Sequence, residues 1–358
     1  MRPTYAEVDL SAIARNVAAF VDLIAPSEVC AVVKADGYGH GDVPVAERAI
    51  AAGASSLAVA LVEEGVRLRE AGVSAPILLL SEPEPEAVGD VVRWELTPTA
   101  YSAGFVEMLS TTGSKLSVHL KVDTGMHRVG APPWRLPELV RAVDSAPDLE
   151  LGGLWTHFAV ADEDPHHTEE QIERFEEAVD GYEARSFHLA NTAGAVLFPG
   201  SRRDLCRIGL GTYGLHPCAE TKEEIELIPA MKVVTHVSHV QRLPAGERPS
   251  YGRRRGLEYE STVVTAPIGY ADGFPRGLSD SGFALLGGRK FPLAGTVTMD
   301  QIVIDVGDED VDVGEEVVLM GDQGEESIGA DDWASILDTI SYEVVCSIGP
   351  RVTRRYSG

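Results

Sequence analysis

"VCAVVKADGYGHGDVPVAERAIAAGASSLAVAL", residues 29–61, reads as strand, helix, strand. β-branched and small apolar residues dominate 29–35 and 55–61, the composition of buried strands. Between them "DVPVAERAIAAG" has helical periodicity and ends on a glycine suited to a helix C-terminus. Two strands joined through a helix must run parallel, so this stretch predicts a βαβ unit. One residue fits poorly: Lys34 closes a run as apolar as "EVCAVVK". Lysine is almost never fully buried without a partner, so it needs an escape to solvent or a chemical reason to be there.

The same alternation continues outward. After "VCAVVKA" and "SSLAVAL" come "APILLLS", "WELTPTA", "KLSVHLKVD", "LELGGLWTHF", "SFHLAN" and "LCRIGLGTYG", with helix candidates such as "VEEGVRLREAG", "TEEQIERFEEAVDGYEAR" and "AGAVLFPG" between them. Eight such repeats predict an α/β fold, a (β/α)8 TIM-like barrel over residues 1–232. A further helix, "SAIARNVAAFVDLI", precedes the first repeat, with Ser11 as the expected cap and Ile13, Val17, Val21 and Ile24 on one face. Beyond about residue 232, "KVVTHVSHV", "STVVTAPI", "TVTMDQIVIDV" and "EEVVLMG" alternate between Gly, Pro and Asp turns, with helix-like "DDWASILDTI" among them. A mostly β C-terminal domain is predicted over 233–358, with the first few residues of the chain available to pack with it.

A formal net charge of −26 argues against nucleic acid and against an anionic membrane surface, which would repel the chain at long range. No apolar stretch approaches the length of a membrane span, and "MRPTYAEVDLSAIARN" lacks the pattern of a secretory signal, so a cytoplasmic location is expected. Cys30, Cys206, Cys218 and Cys346 show no disulfide or metal spacing and read as reduced structural thiols. The acidic runs, such as "EPEPEAVGD" and "DEDVDVGEE", read as solvated faces, and "RRR" at 253–255 as a basic loop offsetting local acidity.

In barrels, reactive groups project from the C-terminal ends of the strands. Lys34, Lys121, Asp123, His157 and Asn191 fall at such ends, Arg128 follows one, and Arg207 lies in the last. Arg128 and Arg207 near Lys34 would disfavour its protonated form, and a neutral amine can form a Schiff base. Gly194 at a helix start and the glycines at 209 and 211 suggest backbone N–H groups for an anion such as phosphate. Lysine plus phosphate cradle points to pyridoxal phosphate, with a cofactor-free barrel aldolase as the alternative at this stage.

"AVVKADGYGHG", "LKVDTGMHRVG", "THFAVADED", "HLANTAGA", "RIGLGTYGL", "PSYG", "IGYADG", "TVTMDQ" and "SYEVVCSIGPRVTRRY" together resemble the alanine racemase family in order and spacing, over essentially the whole chain. The resemblance implies interconversion of L- and D-alanine for peptidoglycan, pyridoxal 5'-phosphate on Lys34, and a head-to-tail homodimer with shared sites. A serine or broad-specificity racemase is the alternative. It further implies that Lys34 and Tyr251, the latter from the partner subunit, act as bases on opposite faces of the substrate α-carbon. Two such bases are what stereoinversion needs. An ordinary tyrosine, with a pKa near 10, is a poor base at neutral pH, so the resemblance makes His157 its relay. It sets Arg207 facing the pyridine nitrogen; arginine keeps its proton, so the ring nitrogen would stay neutral, favouring racemisation over transamination. Tyr38, Thr192, Gly209, Leu210 and Tyr342 match phosphate-holding positions, and Asn191 a cofactor contact. Arg128 and Met299 match groups near the cofactor phenol oxygen and the substrate carboxylate. Tyr270, Arg276, Asp300 and Tyr342 match the lining of the substrate's access path. Lys121 matches a lysine that is carbamylated in many members. Thr296 stands where some relatives carry arginine, which would alter the electrostatics of that path.

Overall fold

The computed structural model describes residues 2–358, and the chain divides into two compact units: Ala12–Ile228, and the chain up to Ser11 together with Pro229–Gly358. The junction expected at 232 therefore lies at 228/229.

The β-rich unit opens the chain. β1 (Tyr5–Asp9) leads directly into a helix at Leu10–Ile24. This helix begins one residue before the expected cap: Asp9, not Ser11, precedes it, and the Asp9 carboxylate accepts the N–H of Ser11 at 2.8 Å. Ile13, Val17 and Ile24 are buried as expected, joined by Phe20, whereas Val21 is half-buried.

All eight expected barrel strands form: β2 (Glu28–Val32), β3 (Ser56–Val59), β4 (Ile77–Leu79), β5 (Thr99–Ala100), β6 (Leu116–Lys121), β7 (Leu149–Trp155), β8 (Ser186–His188) and β9 (Leu205–Ile208). They pair in parallel as β4-β3-β2-β9 and β5-β6-β7-β8. Two seams close the barrel. Leu79 donates to the Thr97 carbonyl and Thr97 to that of Ile77 (2.9 and 2.8 Å), while Arg207 donates to Ala190 (2.9 Å) and Asp204 to Phe187 (3.1 Å). Closure removes every exposed strand edge.

The side-chain period of two sorts β6. Leu116, Val118 and Leu120 pack with Phe105, Leu109, Leu136, Leu139 and Val143 of the helix layer. Ser117, His119 and Lys121 take the other face, toward the barrel interior. Where the chain leaves the barrel, buried Asn16 donates to the Ile228 carbonyl (2.9 Å) and accepts the Ile228 N–H (2.8 Å), fixing that point from both sides.

In the other unit, β10 (Met231–His236), β11 (His239–Leu243), β12 (Ser261–Ala266), β13 (Phe283–Leu286), β14 (Arg289–Pro292), β15 (Ile302–Gly307), β16 (Glu316–Gln323), β17 (Glu326–Ile328) and β18 (Thr353–Ser357) build two sheets. One runs β14-β13-β16-β10-β1-β18 with β17 on β16; the other is β11-β12-β15. The run "KVVTHVSHV" thus splits between sheets, breaking at Val237-Ser238. Helices at Ala330–Leu337 and Ser341–Ser347 precede β18. No helix among the described residues is long and apolar enough to cross a membrane.

Candidate active site

Lys34 follows β2 and is half-buried. The chain then does something its composition does not announce: Ala35, Asp36, Gly37 and Tyr38 all have positive φ, 53°, 54°, 58° and 51°. Left-handed backbone costs a non-glycine residue about 1–2 kcal/mol, so the turn persists only because its surroundings enforce it. Glu64 is the main restraint. Its buried carboxylate accepts N–H bonds from Ala35 (2.7 Å), Ala60 (2.8 Å) and Leu61 (3.1 Å). Tyr213 adds a second brace, donating its hydroxyl to the Val32 carbonyl at 2.9 Å and stacking on Tyr38 with ring centroids 4.9 Å apart. Glu64→Ala strands three donors and should cost roughly 2–4 kcal/mol, read as a lower urea midpoint at unchanged slope.

Lys121 ends β6, buried, with Nζ 4.1 Å from the Trp155 ring centroid. Burial, then Arg207 and Arg128, push its pKa down to about 7; Asp123 opposes and Lys34 adds a further push. The sign of the linked stability follows. A lysine with unfolded value 10.5 and folded value about 7 binds more protons when unfolded between those pH values, so stability rises with pH across that window. In CO2-depleted buffer, Lys121→Met should therefore stabilise the protein by roughly 2–4 kcal/mol below pH 7, with the gain disappearing toward pH 10.5 in urea melts run at each pH.

Arg207, 2% exposed in β9, is the centre of the rim. Its Nη1 donates to the His188 ring Nδ1 (2.8 Å) and carbonyl (3.0 Å). Nη2 donates to the carbonyls of Thr156 (2.7 Å) and Leu189 (2.8 Å), and one of these two N–H groups is shared with His157 Nδ1 (3.3 Å). The Nε–H is buried and meets no acceptor among the described residues. Burial lowers the Arg207 pKa to about 10, still cationic at neutral pH. His157 is held well below the usual histidine range by burial, then Arg207, with Lys121, Arg128 and Lys34 adding. Because Nδ1 faces an arginine, which only donates, the neutral ring carries its proton on Nε2.

Thr192 Oγ1 accepts the N–H of Gly209 at 3.1 Å, and a Cβ on Gly209 would lie 2.7 Å from the Tyr38 hydroxyl. Tyr38, Thr192, Gly209 and Leu210 thus share one small, buried cradle, in which the N–H groups of Gly209 and Gly211, expected to meet an anion, both donate to Thr192 Oγ1 (3.1 and 3.4 Å). Gly194 is a correction: its N–H is taken by the Asn191 side chain, 2.9 Å away, which caps the Thr192–Leu197 helix. Asn191 therefore serves the cradle by fixing this helix. Asp123 accepts from the N–H groups of Gly125 (3.1 Å) and His127 (3.0 Å), shaping the loop that carries exposed Arg128. Burial works against its ionisation, but those bonds outweigh it and hold its pKa below the usual range.

Tyr251, Tyr270, Arg276, Met299, Asp300 and Tyr342 lie in the β-rich unit. Tyr251 is 74% exposed, and its carbonyl accepts the hydroxyl of buried Thr296 at 2.7 Å. Thr296, expected to alter an access path, thus also tethers the loop bearing Tyr251. Tyr270 donates its N–H to the Thr298 carbonyl and Ala271 to that of Met299 (3.0 and 3.1 Å), which bonds these two loops to each other. Gly273, at φ 97°, abuts Ser347 so closely that a Cβ would sit 2.0 Å from its carbonyl oxygen, joining the turn to the helix of Tyr342. Asp300 pairs with Arg351 at 2.7 Å. The "RRR" loop is locally neutralised: Arg253 meets Glu247 (3.7 Å), Arg254 meets Asp280 (3.5 Å), and Arg255 donates to the Leu293 carbonyl.

A closed (β/α)8 barrel whose rim crowds two lysines, two arginines and a neutral histidine, joined to a β-rich unit, defines a two-domain barrel enzyme. Residues 8–217 match the family model "Alanine racemase, N-terminal domain" and residues 230–356 match "Alanine racemase, C-terminal domain". The chain belongs to the alanine racemase family. It is 43% identical to the alanine racemase of Symbiobacterium thermophilum, covering 100% of this chain and 98% of that one. The solved alanine racemase from E. faecalis superposes with a TM-score of 0.94 at 37% identity, covering 99% and 98%. A histidine racemase from Leuconostoc mesenteroides superposes at 0.93 with 28% identity, covering 100% and 98%.

Proposed function

We propose that this chain interconverts L- and D-alanine, with pyridoxal 5'-phosphate held at the barrel rim. The observation that carries the reading is the unused Nε–H of Arg207: a buried guanidinium donor without an acceptor is costly unless a ligand supplies one. The cradle of Tyr38, Thr192, Gly209 and Leu210 suits a phosphate through its two hydroxyls, which add no net charge, while the Gly209 N–H already donates to Thr192 Oγ1. Tyr342 and Asn191 complete the cofactor set that the family resemblance implies. When bound, the cofactor supplies an electron-withdrawing ring that acidifies the substrate α-C–H.

The chain's own groups do the rest. Lys34 Nζ would hold the cofactor and then serve as base on one face of the α-carbon; Tyr251 Oη, from a partner subunit, would serve the other. Arg207 donates to His157, leaving the His157 Nε2–H to stabilise a phenolate at Tyr251. Arg128 and the Met299 N–H would receive the substrate carboxylate, and Tyr270, Arg276, Asp300 and Tyr342 would line its path. Large side chains left exposed on the loops of the β-rich unit, Tyr251, Tyr270 and Met299, support a homodimer with shared sites. Lys121, pushed down to about 7, is substantially unprotonated near neutral pH, the form that carbon dioxide can carbamylate; the product carbamate would pair with Arg128.

The second reading, a serine or broad-specificity racemase, rests on the weak discrimination a pocket makes against one added hydroxyl, and the alanine racemase relatives favour alanine over it. Incubation of the pure protein with L-alanine, L-serine and L-histidine, followed by chiral chromatography, tests both. D-alanine as the fastest product is expected; no D-alanine would reject the proposal.

A further inference from the structure

The barrel interior beneath Arg207 is polar where branched aliphatic residues usually fill such barrels. His188 in β8 accepts from Arg207 through Nδ1 at 2.8 Å, and its Nε2 lies 2.9 Å from Nδ1 of His119 in β6. Directions in this chain are forced. Arginine has no acceptor, so His188 Nδ1 must carry a lone pair and its neutral ring must carry hydrogen on Nε2. That hydrogen points at His119, whose Nδ1 must accept, leaving hydrogen on its own Nε2. A proton added at either Nδ1 would set donor against donor.

Space for His119 is built into the backbone. β6 and β7 slip register between Val118 and His119, so that Val118 pairs with Leu151 and His119 with Gly153, passing over Gly152. A Cβ on Gly153 would lie 2.5 Å from His119 Nδ1, and one on Gly152 would lie 2.0 Å from Ser117 Oγ. Two consecutive glycines and a bulge thus admit an imidazole that no larger neighbour would leave room for. Trp155 stacks on His188 with centroids 5.4 Å apart and rings 12° from parallel, restraining it in the remaining direction.

We propose that His119 is a positioning residue: by accepting the Nε2–H of His188 it locks the tautomer that accepts from Arg207, and so aims the Arg207 Nε–H at the cofactor ring. This rests on the proposed function for its purpose, but not for its geometry. Burial, with Arg207 beside them, holds both rings on the neutral side, His119 at about 4 and His188 well below the usual range. Four of the five guanidinium N–H groups are then consumed by fixed protein acceptors, and one is left over for a ligand.

The test is nitrogen-15 NMR of the full-length, cofactor-loaded protein with labelled histidine. His119 and His188 should both appear as neutral Nε2–H tautomers, unchanged between about pH 6 and 8. An Nδ1–H tautomer at either ring, or titration of either within that range, overturns the inference without reference to activity. His119→Leu should release His188 into mixed tautomers and lower kcat roughly tenfold with KM little changed, while His119→Gln, which keeps an acceptor oxygen, should recover most of both. A His188 spectrum and kcat untouched by His119→Leu would also overturn it. If the leucine variant does not fold, the wild-type spectrum still decides. Wild-type protein that makes no D-alanine yet shows the locked tautomers would sink the proposed function and leave the pairing intact.

Discussion

Lys34→Ala protein should fold, fail to develop the visible absorbance of an attached cofactor, and lose at least about a thousandfold in D-alanine formation. The structure makes the loss hard to rescue from within. Lys34 stands between a strand paired on both sides, β2 with β3 and β9, and a left-handed turn pinned by Glu64. No compliant backbone exists there that could bring another amine to the same point. Lys121 is the rival: its charge senses Lys34, and its pKa of about 7 makes it a nucleophile at neutral pH. Borohydride reduction of the wild type followed by peptide mass mapping separates the two. Label on Lys34 is expected; label on Lys121 would reassign the attachment.

Tyr251→Phe should keep the absorbance and lose activity about as heavily, but asymmetrically. With only Lys34 left as base, α-proton exchange in deuterium oxide should persist for one enantiomer and cease for the other, while inversion falls roughly a thousandfold. Symmetric loss of exchange would contradict opposite-face bases. If Tyr251 serves a partner's site, as proposed, mixing Lys34→Ala and Tyr251→Phe chains should restore one intact site per hybrid dimer. Mixtures that stay inactive after demonstrated subunit exchange would rule out sharing.

The eight barrel strands were legible because each is a short apolar run whose register on the helix layer a period of two dictates. The rim cations are legible only together, since one charge ending such a run is ordinary but five or six polar groups converging on one rim are not. Other features left no local trace. Alanine, aspartate and tyrosine give no hint of positive φ, so the turn at 35–38 is visible only once Glu64 is seen to hold it. Asp9 and Ser11 are equally good capping types, and only the strand ending at Asp9 decides between them. Gly194 at a helix start suggests an open N–H in sequence, but Asn191 satisfies it. His119 and His188, inside "KLSVHLKVD" and "SFHLAN", carry no strand-end signal. The signal that could have found them was a histidine at an inward strand position opposite consecutive glycines, as in "LELGGLW".

β1 lies between β10 and β18, antiparallel to the first and parallel to the second, with Tyr5 opposite both Val234 and Thr353. β1 therefore waits, through the synthesis of an entire barrel, for one neighbour, and through most of the β-rich unit for the other. Nascent chains should expose that segment to chaperones until β10 emerges, and stalling translation just short of residue 353 should leave the large sheet without its outermost strand.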